Sequence, residues 1–204
     1  MNAYRFSQQD NDSYAFRVYP RLTRNQQLHQ TILPAMSGQD RPGVRRCIQC
    51  GLIQDKWNAP LNGFRVKRRK HDISCTYDGL TVVSSRFISV CDETGITGPT
   101  FRPLPDDTDF FAVVAARKVG FDAERCGTRF TNFCAVCNQY AEVIGAYPTY
   151  LREGEFIGDL EIVRSDLEFA SRDEKCFLLM CGPIAKERLS KAGLKGVDLY
   201  PLDK

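Results

Sequence analysis

At 204 residues, with 43% hydrophobic and 11% aromatic side chains, the chain can bury one substantial core or two small ones, and no stretch reaches the roughly 18 apolar residues of a membrane-spanning helix. A formal charge of +3 is too small to attract nucleic acid by itself, so only a local concentration of cations could do so. No basic patch followed by an apolar run opens the sequence, which predicts a cytoplasmic protein, and nine cysteines in a reducing compartment read as metal ligands and buried thiols rather than disulfides.

Aromatic and polar residues alternate over the first 35 positions, with Tyr4, Phe6, Tyr14, Phe16 and Val18 in register. This period of two predicts strands at the N-terminus, as an edge hairpin with Asn11 and Asp12 near its turn. Residues 36–46 are turn-formers and charges that read as a loop leading to Cys47. Farther on, LTVV (80–83) predicts a short strand, 84–95 a helix, 99–104 an extended piece, and DFFAVVAA (109–116) the most strand-like run of the chain. The acid-rich segment 151–174 predicts a short helix and strand covering the sheet, its charges forming a solvated face. The order then recurs as KCFLLMC (175–181), a helix from Pro183 to Ala192, and GVDLYPL (196–202). A displacement of 98 residues lays Leu80 on Leu178, Gly95 on Gly193, Gly98 on Gly196, and Pro103-Leu104 on Pro201-Leu202. These are punctuating residues, glycines just past each helix among them, and they point to a strand–helix–strand internal repeat, although units this short also converge.

Two stretches carry chemistry: CIQCG (47–51) and CAVCN (134–138). A Cys-x-x-Cys turn sets two thiolates on one side of a tight loop, where both can hold one zinc ion. Such knuckles call for a residue tolerant of positive φ after the second cysteine, and Gly51 and Asn138 stand there. Cys47, Cys50, Cys134 and Cys137 together make one closed, structural zinc site of four cysteines. Another metal or cluster, free thiols and a redox pair are the competing readings; a redox pair is expected near a helix N-terminus with one low-pKa thiol. His71 and Cys75 could form half of an alternative site. Cys91, Cys126, Cys176 and Cys181 lie in apolar or helical contexts and read as buried thiols, and His29 as a surface loop residue.

Residues 65–70, RVKRRK, place Arg65, Lys67, Arg68, Arg69 and Lys70 in one run near Trp57, Phe64 and Tyr77. Three readings compete for this run: a solvated segment, a contact with an acidic protein, or a nucleic-acid surface in which cations meet phosphates and rings stack on bases. The chain has no GxSxG, HExxH, P-loop or dinucleotide fingerprint, and neither of its two histidines sits in a catalytic motif. No catalytic residues are assigned, and a non-enzymatic protein is expected.

Together, CxxCG in the first third, a second CxxC past the middle, the intervening LTVVSSRF…TGITGPTFRPL and the terminal CFLLMCGPIAKERLSKAGLKGVDLYPL resemble the bacterial double-CxxCG proteins and the related immunity proteins of polymorphic toxin systems. The resemblance spans about residues 44–204, and the second clip departs from it by ending in Asn138 instead of glycine. It implies a cytoplasmic protein that binds and neutralises a cognate toxin. A zinc-ribbon nucleic-acid-binding protein is the alternative.

The expected architecture is α+β, with a mainly antiparallel or mixed sheet, a few short helices and a zinc-knuckle pair. A single domain is expected over 1–204: N-terminal strands and loop in 1–43, the span between the clips with the first repeat unit in 44–140, and the acidic segment with the second unit in 141–204.

Overall fold

A computed structural model describes residues 3–7, 9–18, 38–115 and 117–203. In chain order the first strands are β1 (Tyr4–Ser7), β2 (Gln9–Asp10), β3 (Arg17–Val18), β4 (Gln39–Asp40), β5 (Arg45–Arg46) and β6 (Ile53–Gln54). Then come β7 (Ile73–Cys75), β8 (Thr81–Ser84), helix α1 (Ser85–Thr94), β9 (Pro99–Leu104), β10 (Asp107–Ala115) and β11 (Lys118–Val119). Last are β12 (Arg129–Cys134), β13 (Gln139–Ile144), β14 (Ile162–Ser171), β15 (Cys176–Cys181), helix α2 (Pro183–Lys191) and β16 (Asp198–Pro201). The α+β class expected from the sequence holds: sheet predominates, pairing is mainly antiparallel, and the helices are short.

A five-stranded sheet has the order β2-β7-β8-β10-β9, and a seven-stranded sheet the order β12-β13-β14-β15-β1-β16 with β11 against β14. Within them lie two units of matching register. In the smaller sheet β10 runs antiparallel between β8 and β9, with Ala112 opposite Val82 and Arg102. In the larger sheet β1 runs antiparallel between β15 and β16, with Arg5 opposite Met180 and Tyr200. Each of these partners of β1 lies 98 positions beyond the corresponding partner of β10. The N-terminal strand therefore fills, in the C-terminal unit, the slot that β10 fills in the first.

The helices obey the same frame. Ser84 caps α1, its hydroxyl accepting from Phe87 N at 3.2 Å, while Pro183 opens α2, where a missing N–H costs nothing. The buried faces are Phe87 and Cys91 on α1 and Ala185 and Leu189 on α2, each pair one helical turn apart. The helices also cap each other: Arg86 donates to Ala192 O at 2.8 Å, and Arg188 donates to Thr94 O. After each helix a glycine passes close against a strand of the other sheet. A Cβ on Gly98 would lie 2.1 Å from Ile162 O, and one on Gly196 would lie 2.8 Å from Ile73 O.

One buried cluster, including Val83, Phe87, Cys91 and Ile96 with Cys181, Ala185, Leu189 and Leu194, joins the two sheets and both helices. A second cluster, with Phe16, Leu61, Phe64, Leu80 and Phe110, covers the opposite face of the smaller sheet. Smaller clusters around Val163 and Met180 and around Phe121, Phe169 and Leu178 cover the larger one. Strands buried on both faces read as unbroken apolar runs, which is why LTVV and CFLLMC lack alternation.

Two local expectations are corrected. The described N-terminal residues form no hairpin: β1 joins the larger sheet, β2 pairs in parallel with β7, and β3 pairs with β4. Asp12 does bend the chain at φ +57, and Asp78 anchors the following turn by accepting from Ala15 N and Phe16 N at 2.9 and 2.8 Å. In the acidic segment, β14 is an interior strand bordered by β13 and β15 rather than a cover, and the helix there is a single 3₁₀ turn at Arg172–Glu174. His29 lies outside the described residues.

Candidate metal centre

Each Cys-x-x-Cys occupies the tip of a hairpin. Cys47 and Cys50 stand between β5 and β6, where Gly51 N donates to Cys47 O at 2.9 Å and Cys47 N to Leu52 O at 2.8 Å. Cys134 ends β12 opposite Gln139, the first residue of β13, and Cys137 lies in the turn between. Gly51 has φ +73 and Asn138 φ +57, the left-handed backbone expected after each clip.

The four Sγ atoms lie within 4.8 Å of one another, with Cys47–Cys134 at 3.7 Å and Cys50–Cys137 at 3.5 Å. All four thiols are free. A tetrahedral ion bonded at about 2.3 Å to each sulfur would set its ligands roughly 3.8 Å apart, so the group fits a tetrahedral thiolate-bound ion. Four cysteines can thus hold a metal ion, with every coordination position supplied by protein sulfur.

The electrostatics favour the thiolate at Cys47 and oppose it at Cys50 and Cys137. The backbone N–H of Cys50 leads in holding the Cys47 thiol down to about 6, whereas burial pushes Cys50 up and Cys137 up to about 12. Four thiolates around a divalent ion carry a net charge of about −2, and cations surround the knuckles. Arg172 donates to Cys50 O at 3.2 Å, and Arg46 donates to Gly51 O at 2.6 Å and to Asp173 Oδ2 at 2.9 Å. Lys175 donates to Tyr140 O at 2.5 Å. Asp173 also accepts from Ile53 N at 3.3 Å, tying the first knuckle to the turn that follows β14.

Between the knuckles lies a cleft of about 300 Å³ walled by Trp57, Tyr140, Glu168 and Lys175. Lys56, only 7% exposed, reaches through this region to donate to Asp173 O at 2.9 Å and to Lys175 O, and burial lowers its pKa. Nothing in the sequence marks Lys56 or Lys175 as interior, because each is one lysine in a polar stretch.

His71 and Cys75 join neither the four-thiol cluster nor, among the described residues, any other group of three or more potential metal ligands. The neighbouring Cys176 side chain and burial instead push the Cys75 thiol well up. Cys91, Cys126 and Cys181 are buried and Cys176 half-buried, all four reduced.

Two of the five cations of the basic run are paired within the fold. Arg68 pairs with Asp12 at 2.6 Å, and Arg69 pairs with Asp107 and Asp109 at 2.7 Å each. Arg65, Lys67 and Lys70 are exposed and form no ion pair among the described residues. No helix among the described residues is long and apolar enough to cross a membrane. Comparison of the chain with protein-family models and with curated proteins finds no match.

Proposed function

We propose that this is a non-enzymatic, cytoplasmic immunity protein that binds and neutralises a cognate bacterial toxin, with zinc as the structural ion of its four-cysteine cluster. The observation that carries the reading is the closure of that cluster. Four thiols supply the whole of a tetrahedral shell, so the ion has no open position at which to polarise a substrate or activate water. Its work is mechanical: it fastens a hairpin from the N-terminal third to the edge hairpin of the larger sheet, across 87 residues of chain. Zinc is the ion whose chemistry best matches four thiolates at tetrahedral spacing. The resemblance of the clips and of the C-terminal segment to double-CxxCG proteins supplies the toxin.

The pairing of Arg68 and Arg69 with carboxylates within the fold weighs against the nucleic-acid reading, which keeps Arg65, Lys67 and Lys70. The two strand–helix–strand units are, on the same reading, copies of one ancestral element. The matching of strand registers, buried helix positions and close-packed glycines at one displacement supports common descent over convergence.

The test is expression of the toxin encoded beside this chain, with and without the protein. Protection of the cell together with a stable complex of the two purified proteins is expected. A toxin that kills equally in both strains and fails to bind would overturn the reading.

A further inference from the structure

The metal cluster presents a second feature that its structural role does not use. β12 ends the larger sheet, and its residues Arg129–Phe133 are all exposed. In a regular strand, residues three apart face opposite sides. Asn132, at φ +56, breaks that rule, and the rings of Phe130 and Phe133 both settle on Tyr140, with centroids 5.2 and 5.0 Å away. Each clip adds an exposed aliphatic residue: Val136, 58% exposed, in the turn of this hairpin, and Ile48, 96% exposed, in the facing clip, whose sulfurs lie 3.7 and 3.5 Å from those of Cys134 and Cys137. Leaving such residues in water forfeits hydrophobic stabilisation of about 25 cal/mol per Å². Their backbone is pinned at the metal ligands on either side, so covering them costs little ordering.

Of the carboxylates in the cleft beside Tyr140, Asp173 is paired with Arg17 and Arg46, Asp166 with Arg152, and Glu168 accepts from Trp57, whereas three arginines of the surrounding elements are unpaired among the described residues. Arg45, Arg129 and Arg172 are exposed, and none makes an ion pair with a described residue. The hairpin's own carboxylate, Glu142, accepts a hydrogen bond from Thr131 at 2.7 Å. Aromatic side chains and arginine, with lysine scarce, are the composition of protein-binding hot spots. A second copy of the chain would bring like charges together. A single nucleic-acid strand would gain nothing from Ile48 and Val136, which offer no ring for a base to stack on.

We propose that the face formed by Ile48, Phe130, Phe133, Val136 and Tyr140 is the docking surface for a protein partner that presents an apolar recess rimmed by carboxylates. The identification of that partner as the toxin rests on the function proposed above; the chemistry of the surface does not.

The probe is a random-peptide display library, panned on the full-length, metal-loaded protein at low salt. Peptides combining Asp or Glu with large apolar residues should be enriched, and their affinity should fall as salt rises. The double variant Phe133→Ser/Tyr140→Ser and the separate variant Arg129→Glu should each weaken binding at least about tenfold, with metal content and melting unchanged. The proposal is overturned by any of three results: no enrichment, enrichment of basic peptides, or binding that both variants leave intact. Self-association or single-stranded DNA binding abolished by the same variants would overturn it as well, by assigning the face to another occupant. Acidic peptides that bind here while the neighbouring toxin does not bind would retire the toxin reading and leave this surface standing. Toxin binding unaffected by the variants would do the reverse.

Discussion

Arg69 sends one amino group to Asp107 and the other to Asp109, and the Asp107 side chain is only 3% exposed while also accepting from Val66 N. Lys67, two positions away in the same run, is exposed and forms no ion pair among the described residues. Removing the guanidinium leaves a buried carboxylate short of its charged partner, so Arg69→Ala should cost about 2 kcal/mol of stability in urea unfolding. Lys67→Ala should stay within about 0.5 kcal/mol of the parent. Equal, negligible effects would show that the run is solvated throughout. The contrast marks what a sequence reveals at this scale. The knuckle residues are legible because a few neighbouring positions determine a knuckle: two sulfurs and a residue that accepts positive φ. The partners of Arg68 and Arg69 are not, because Asp12 and Asp107 lie 56 and 38 residues away along the chain and only folding brings them near.

At the scale of elements, the glycines that follow the helices carry a definite demand. Gly98 has φ +102 and passes against Ile162 O, and Gly196 has φ +78 and passes against Ile73 O. Gly98→Ala should cost more than about 3 kcal/mol and Gly196→Ala about 2, since each adds a close contact to a left-handed backbone. Thermal unfolding that ranks them the other way would contradict the packing described against the two sheets. Glu161 holds the start of β14. Its carboxylate accepts from Arg117 at 2.7 Å and from Gly158 N at 3.1 Å, and the Arg117 hydrogen bond holds its pKa below the ordinary 4.5. A lowered acid stabilises the fold fully above the unfolded value, and that contribution is lost as pH falls through the folded one. Glu161→Gln should therefore be about 1 kcal/mol less stable than the parent at neutral pH, and the gap should close below pH 4.5. A gap that persists unchanged into stronger acid would exclude this pair as its source. The helices are legible because caps and apolar spacing are local signals. The N-terminal hairpin fails for the converse reason: an alternating segment announces a strand but not its partner. Tyr4–Ser7 finds its neighbours in β15 and β16, at the far end of the chain.

For the whole molecule, two long-range closures hold the architecture. The N-terminal strand completes the C-terminal unit, and the thiol cluster joins hairpins separated by 87 residues. The second is readable in advance because matching clips advertise a shared ion. The first is not, because nothing in YRFS specifies insertion between two distant strands. Both closures join segments far apart in sequence, so losing either should loosen the fold broadly. Cys134→Ser should release the ion and lower stability by about 4 kcal/mol, near 10 °C in Tm for a chain of this size. Equal melting of parent and variant after exhaustive chelation is the accompanying expectation, since the ion's binding energy is then absent from both.

The central claim is that Cys47, Cys50, Cys134 and Cys137 hold one structural metal ion. Its most direct test is metal content per chain together with thiol titration before and after denaturation in chelator. The account predicts one zinc ion per chain, with the four clip thiols unreactive in the native protein and all nine cysteines titrating once the ion is removed. A metal-free protein whose clip thiols react freely in the native state, or fail to titrate after denaturation because they are paired as disulfides, would contradict it.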